Sequence, residues 1–536
     1  MYLIIPTMKD NTLIRPALTA FSVTLLSFAF VASTAPIHLS AQTDGSWKDD
    51  LSGNWGLADN WVDGAIADGV GATATFNTYN SEVGGNVTVT LDQNRSLTSL
   101  FFADRADNSR WIIAPATAGT PELLTLDGNT PTITVNTSRG GGVSNPIEGT
   151  HFNVPLLVEN NGTGNFVINA TLPSSGRWPV VVFNETVTSQ RDLQLATSFG
   201  HVTFKENLQV TGDMTLTTGE GRIRLEGTDN TISGLLTLRS GSQLRVQSLS
   251  NNQAVTLGSG TLILMTAADI RLSSLSGNGT ISAPDNAPNQ NSTLRLNVAS
   301  DTIQNINASM GWSWITFHKE GEGTAYLNNQ WRPSKGAFVE EGTLVVNHAN
   351  ALVNPNSAFT TTVRSGAKLA VGEGITFTPT GPVVFENGSA FGGSGTYNRG
   401  SEWSVPDNFT IAPGLSIGTL TVDLGAASNF LWLKDNTTMA FELAAGGGGD
   451  QFFLLGELIL SDSILSLSGD ADLNVWYTII SAGSIVGTFG EVDPNYQVAY
   501  TATEVNVMLV PEPASAAVVL GLVACGLLLR RRRQSA

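Results

Sequence analysis

Alternation with a period of two runs through the body of this chain, and it constrains the fold more than any other feature. Asn86-Val-Thr-Val-Thr-Leu91, Thr132-Ile-Thr-Val135, Gly221-Arg-Ile-Arg-Leu225, Ser292-Thr-Leu-Arg-Leu-Asn-Val298 and Glu504-Val-Asn-Val-Met-Leu509 each place apolar side chains at alternate positions. Thr, Asn, Ser or Arg fill the places between, as a strand with one dry and one wet face requires. Gly, Asn or Ser pairs separate the strands. No segment between residues 42 and 510 carries a helical period of useful length, so the class is all-β.

The strands echo one another. Arg239-Ser-Gly-Ser-Gln-Leu-Arg-Val246 and Arg364-Ser-Gly-Ala-Lys-Leu-Ala-Val371 share R-S-G-x-x-L-x-V. Gly-Thr-Leu-x-apolar recurs at Gly260–Leu264, Gly342–Val346 and Gly418–Val422, and Gly-x-Gly-Thr at Gly277–Thr280 and Gly393–Thr396. The unit is one turn and one strand, with Gly taking the positive φ at the corner and Leu or Val pointing inward. Such a unit cannot bury its apolar side alone, so copies stack into a solenoid. Composition alone can also generate short matches of this kind.

Gly342-Thr-Leu-Val-Val-Asn-His-Ala-Asn-Ala-Leu352, followed by Val363-Arg-Ser-Gly-Ala-Lys-Leu369, resembles the autotransporter-associated β-strand repeat. Ala412-Pro-Gly-Leu-Ser-Ile-Gly-Thr-Leu-Thr-Val422 is similar to it too. Gly45-Ser-Trp47, Gly53-Asn-Trp55 and Asp59-Asn-Trp61 resemble the opening of such proteins, and Gly449-Asp-Gln451 with Tyr477-Thr-Ile-Ile-Ser481 their closing stretch. The resemblance implies a right-handed parallel β-helix in an exported bacterial protein. The copies are degenerate, with Glu340-Glu341 where many have small residues. An autotransporter ends in a membrane barrel, whereas this chain ends in one apolar segment, so its export route differs. About 300 residues of repeat at roughly 20–25 per coil give about a dozen coils, a stack roughly 60–70 Å long. Solenoid ends need caps. Trp47, Trp55 and Trp61 are expected in an N-terminal cap or core, with a sugar-stacking platform as the other reading.

The C-terminal end reads Val510-Pro511-Glu512-Pro513, an apolar run from Ala514 to Leu529, then Arg530, Arg531, Arg532 and Arg533. Sixteen residues of helix cover about 24 Å, a little short of a hydrocarbon core. The arginines hold that end in the cytoplasm and leave everything upstream outside. The tail resembles the PEP-CTERM sorting signal. That resemblance implies recognition and processing by an exosortase-type membrane protease in a Gram-negative bacterium. At the other end Lys9 and Arg15 precede an apolar stretch, Ala17 to Ala32, and Ser33, Thr34, Ala35 and Ala41 follow. This is a secretory signal peptide in outline, with cleavage near Ala35 or Ala41 and a retained signal-anchor as the alternative.

The one cysteine, Cys525, lies in the terminal apolar run, so the exported body has neither disulfides nor thiolate chemistry. A hydrophobic content of 41% is too high for disorder. Net charge is −18; removing residues 1–41 takes away Lys9, Arg15 and Asp10, and removing 512–536 takes away four Arg and Glu512, which leaves −22. So acidic a body argues against nucleic acid or anionic lipid as partner.

Little in the sequence announces chemistry. Gly414-Leu-Ser416-Ile-Gly418 satisfies G-x-S-x-G, but a nucleophile elbow needs a helix after the serine and a later histidine. Here Thr419-Leu-Thr-Val-Asp-Leu424 continues as strand, and the last histidine is His348. His38, His151, His201, His318 and His348 form no metal-ligand spacing. Gly446-Gly-Gly-Gly-Asp450 and Gly469-Asp-Ala-Asp472 are fragments of calcium-loop chemistry and are read as turns. Acidic pairs such as Asp49-Asp50 and Glu340-Glu341 have no recurring basic companion, so paired carboxylates for glycoside chemistry are not legible.

The expectation is an all-β chain built as a right-handed parallel β-helix with terminal caps and a single C-terminal transmembrane helix. Residues 1–41 form the signal peptide, 42–125 an N-terminal β cap, 126–425 the solenoid repeats, 426–510 a C-terminal β module and 511–536 the sorting signal. The role expected is a non-catalytic structural or adhesive protein of the cell surface or extracellular matrix, with no cofactor or metal. Its partners are an exosortase-type protease and an extracellular polysaccharide, not nucleic acid. The alternative is a polysaccharide-active β-helix lyase or hydrolase.

Overall fold

The structure, a computed structural model, describes residues 42–510 apart from 78–85, 104–109, 118, 120, 137–148, 172–179, 199, 218, 220, 250–251, 284–290 and 355–358. Residues 1–41, read above as a signal peptide, Pro511, Glu512 and Pro513, the apolar run Ala514–Leu529 and Arg530 to Arg533 therefore lie outside the described residues. Among the described residues no helix is long and apolar enough to cross a membrane.

The strands quoted above form where alternation places them: Val87–Leu91, Thr132–Asn136, Arg222–Leu225, Ser292–Asn297 and Glu504–Leu509. They assemble into five sheets. Sheet I has fifteen strands from Gly45–Ser46 to Val383–Phe385, and sheet II twelve from Gly53–Asn54 to Trp331–Pro333. Sheet III has six strands between Arg95 and Ile232. Sheet IV holds ten strands between Ile303 and Val492, and sheet V nine between Thr376 and Leu509.

Pairing is parallel almost throughout, and partners are not neighbours in sequence. Thr132–Asn136, Gly149–Phe152 and Leu156–Val158 lie on sheets I, II and III, and each pairs with a strand of the next coil. A chain that visits three sheets in turn and then returns to the first is wound as in a β-solenoid. Leu195 pairs with Leu216, 21 positions on, and Leu216 with Leu238, 22 on. Later coils keep close to that length, while Ile133 pairs with Ile168, 35 positions on. Parallel sheets IV and V continue through residue 425. Antiparallel strand pairing enters toward the end, between Thr438–Ala444 and Gly448–Gly449 and where Trp476–Val486 and Tyr496–Tyr500 flank Glu504–Leu509.

Inside, the ladders set buried side chains in rows, and some rows are of like residues. Phe152, Phe183 and Phe204 stack with centroids 4.9 Å apart and planes within 13°, the spacing that parallel strands impose. Leu244 and Leu369, the matching leucines of the R-S-G-x-x-L-x-V echo, are both fully buried as the echo requires. They serve different walls, Leu244 in sheet II and Leu369 in sheet IV.

The Gly-x-Gly-Thr corners explain themselves in the structure. Gly277 has φ +85°, and a Cβ there would lie 2.0 Å from the Leu257 carbonyl oxygen one coil earlier. Gly393 has φ +102° and would meet the Val371 oxygen at 2.1 Å. Gly321-Glu-Gly323-Thr324 is a third copy that the sequence reading passed over, with Gly321 facing Val298 in the same way at 2.3 Å. Three corners that touch the preceding coil identically are repeats of a structure, beyond chance of composition.

Buried cations tie other corners by donating to backbone carbonyls. The Arg191 guanidinium donates to the carbonyls of Glu159, Gly128, Asn129 and Gly164. Lys319, fully buried, donates to the carbonyls of Glu320, Gly321 and Glu341, and burial pulls its pKa down to about 8. At the N-terminal end Trp47, Trp55 and Trp61 pack edge to face around Phe76. Each is at most 1% exposed, and their indole N–H groups donate to the Leu51, Ala67 and Trp55 carbonyls. They close the apolar core, and rings so covered offer no platform to a sugar.

Candidate functional site

With the core filled by apolar side chains, function on such a scaffold falls to the outward positions, which form columns along each sheet at about 4.8 Å per coil. Four places merit inspection: the G-x-S-x-G loop, the calcium-like fragments, and the outer faces of sheets I and II.

Ser416 sits in the loop between Thr410–Pro413 and Thr419–Asp423, strand on both sides, so the elbow geometry is not formed. The loop instead borders a cavity of about 400 Å³ over sheet IV, shared with Tyr326, Lys368, Glu442 and Asp450. Both Asp450 carboxylate oxygens accept backbone N–H groups, from Gly418 and Glu442 at 2.8 Å each. Lys368 reaches only the Ala412 carbonyl, at 3.4 Å, and burial lowers its pKa. Burial likewise raises that of Asp450. Asp472 accepts the Gly446 N–H. The two calcium-like fragments thus meet, but as a backbone turn, and no group of three or more metal-ligating side chains exists among the described residues.

The outer face of sheet I carries acids, and each is held by a cation. Glu320 accepts from Arg271 Nε at 2.8 Å and from Arg295 Nη1 at 3.0 Å, while Arg295 also grips Asp269 at 2.8 Å. These guanidiniums hold the Glu320 carboxyl below its usual range although burial pushes the other way. Further along, Glu340 meets His318 Nδ1 at 2.8 Å and Arg364 Nε at 3.4 Å, and Arg364 also pairs with Glu386. His318 lies flat on Phe338, 4.8 Å between centroids. Glu340, which looked anomalous in the repeat, is the centre of this charge ladder.

Sheet II differs. Arg110, His151, His201, Arg222, Arg224 and Arg245 take outward positions on its strands, interrupted between His151 and His201 by the strand Val180–Phe183, where Val182 is in register with His151 and Val180 with His201; none of its twelve strands contains an aspartate or glutamate. Arg222 lies in register with His201, and Arg245 with Arg224. His151 is held down to about 4 by burial and then by the charges of Arg110 and Lys205. His201 is held down to about 4 by burial and then by Arg222, Arg224 and Arg245. The sequence conceals this grouping because its members come from different coils, as Arg224 and Arg245 do; only the coil period brings them to one face.

No protein-family model matches the chain, and no curated protein is significantly similar to it.

Proposed function

We propose that the protein is an exported, non-catalytic β-solenoid with a structural or adhesive role at the cell surface or in the extracellular matrix. In this reading the coil winds right-handed, as parallel crossovers do. The tail Pro511-Glu512-Pro513, the apolar helix and Arg530 to Arg533 form a PEP-CTERM signal processed by an exosortase-type protease. The observation that most supports a scaffold role is the long run of parallel sheets, held without cysteine by stacked apolar columns and corner cations. The alternative, a polysaccharide lyase or hydrolase, draws on the acids that gather on sheet I. Their engagement by Arg271, Arg295, His318 and Arg364 favours the scaffold, because a catalytic carboxylate must face its substrate.

Cell fractionation with terminal mass spectrometry tests the reading: the chain should be found outside the cytoplasm with both ends processed. Replacing Pro511-Glu512-Pro513 by alanines should leave insertion intact and make a membrane-held precursor accumulate. Unchanged processing in that variant, or a full-length cytoplasmic protein, refutes the sorting assignment.

A further inference from the structure

We propose that the C-terminal end of the β body rests on the surface of a zwitterionic lipid bilayer through Leu473 and Trp476 while the tail is inserted. The inference rests on the reading of Ala514–Leu529 as a membrane segment. It adds a second, peripheral contact, made by the folded body, that fixes how the body stands on the membrane before processing.

Glu504–Leu509 is the last strand described, and antiparallel pairing sets its end beside the start of Trp476–Val486, with Met508 in register with Trp476. Leu473 bridges to Leu509, and the Asn474 N–H donates to the Leu509 carbonyl at 3.0 Å. Leu473 and Trp476 therefore flank the point where the chain leaves the body. They are 56% and 45% exposed, large apolar side chains that the fold leaves uncovered. The segment that carries them is held in place. The Tyr477 hydroxyl accepts the Asp472 N–H at 2.8 Å and donates to the Ala444 carbonyl at 3.1 Å, and Val475 packs against the core.

Chain length fixes what these side chains can reach. From Val510 to Ala514, where the apolar run begins, is four residues, at most about 14 Å of extended chain. The headgroup layer on each side of the hydrocarbon is roughly 5–8 Å thick. With the run inserted, the end of Glu504–Leu509 stands within that layer or a few ångströms above it. Trp476 beside it then lies at the depth where tryptophan is favoured, with Leu473 as its apolar companion. Charge selects the lipid. From Asp435 to Leu529 the chain contains acids but neither lysine nor arginine, so nothing there attracts an anionic headgroup and the contact is apolar. The same module carries its own comparison in Trp432, which is 41% exposed. Trp432 is in register with Ile459, and Ile459 with Val486, at the far end of Trp476–Val486 and about 30 Å from Trp476.

The test reconstitutes the full chain in phosphatidylcholine vesicles whose acyl chains carry bromine, a short-range quencher of tryptophan fluorescence. Flotation of the vesicles reads insertion of the tail, and quenching reads contact of the body. The parent should float and be quenched. Trp476→Phe should lose most of that quenching, Trp432→Phe should keep it, and both should melt with the parent. Leu473→Ser should still float but show weaker quenching, and it carries the comparison if Trp476→Phe melts lower. Phosphatidylglycerol mixed into the vesicles should weaken the quenching of the parent. Leu522→Asp with Leu527→Asp opposes insertion of the apolar run and should abolish the quenching of Trp476. Flotation with equal quenching in Trp476→Phe and Trp432→Phe overturns the contact and leaves the tail reading standing. Quenching that persists in the aspartate pair also overturns the proposal, since the tail would not be what brings Trp476 to the bilayer. A parent chain that does not float refutes the tail reading, and the inference falls with it.

Discussion

Gly277 and Gly366 both adopt left-handed φ, +85° and +79°, yet a methyl group added to each meets opposite surroundings. At Gly366 nothing lies within 4 Å of the ideal Cβ. The cost of Gly366→Ala is then backbone strain alone, about 1 kcal/mol. At Gly277 the same atom would fall 2.0 Å from the Leu257 oxygen and 2.5 Å from its carbon. Ordinary contact needs more than an ångström beyond that, and the obstacle is the backbone of the preceding coil, which cannot rotate aside. The coils must separate there, which weakens the bonds from Gly279 N–H to the Leu257 oxygen and from Thr280 N–H to the Gly260 oxygen, both 3.0 Å. At about 1 kcal/mol for each bond, plus the strain and the opened packing, Gly277→Ala should cost roughly 3–5 kcal/mol.

Denaturant unfolding followed by circular dichroism gives the two midpoints, and hydrogen exchange locates the damage. Amide protection should fall around residues 257–280 in Gly277→Ala and hold elsewhere, since each coil rests chiefly on its neighbours. Equal losses for the two alanine variants would refute the reasoning. They would mean that φ alone, and not contact between coils, makes these corners glycine.

Leu244→Asp and Leu369→Asp each bury a carboxylate at a fully covered site and should cost several kcal/mol, whereas Arg245→Gln should lie within about 0.5 kcal/mol of the parent; melting curves that fail to separate leucine from arginine would mean the register is misassigned. His151 and His201 are held near 4 in the fold against 6.5 when free, so the unfolded chain takes up their protons first as pH falls. Stability should be full above about pH 6.5 and lost progressively toward pH 4, by roughly 1–2 kcal/mol for each histidine after allowance for solvent screening. Urea midpoints at pH 7 and pH 4.5 check this, and His151→Gln with His201→Gln should flatten the difference.

The local level of this structure was plain in the sequence, and its long-range level was not. Period two marked strands such as Arg222–Leu225 and Ser292–Asn297 almost to the residue, because alternation is a property of six consecutive positions. The corner glycines were equally local. Which sheet a strand joins is a different quantity, set by the length of every connection before it. That is why one R-S-G-x-x-L-x-V unit ends in sheet II and its twin in sheet IV. The ion pairs were hidden for the same reason: Arg271 and Glu320 are 49 positions apart and touch only across the coils. The tryptophans of the opening stretch could be placed in a cap or core, but not their mutual edge-to-face packing around Phe76.

Net charge misleads in a solenoid for a reason that follows from its geometry. Inward positions decide whether the coils stack, and outward positions are left almost free, so each wall can carry its own charge pattern without disturbing the core. Charges on different walls are separated by the width of that core, which is comparable with the Debye length of about 10 Å at 0.1 M salt. A ligand on one wall therefore responds to the column beneath it far more than to the total. A chain of net charge −18 can present a wall whose strands contain no acid at all. The acidity of the whole molecule therefore says little about the field over any one wall, which is set by the outward residues of that wall and their partners.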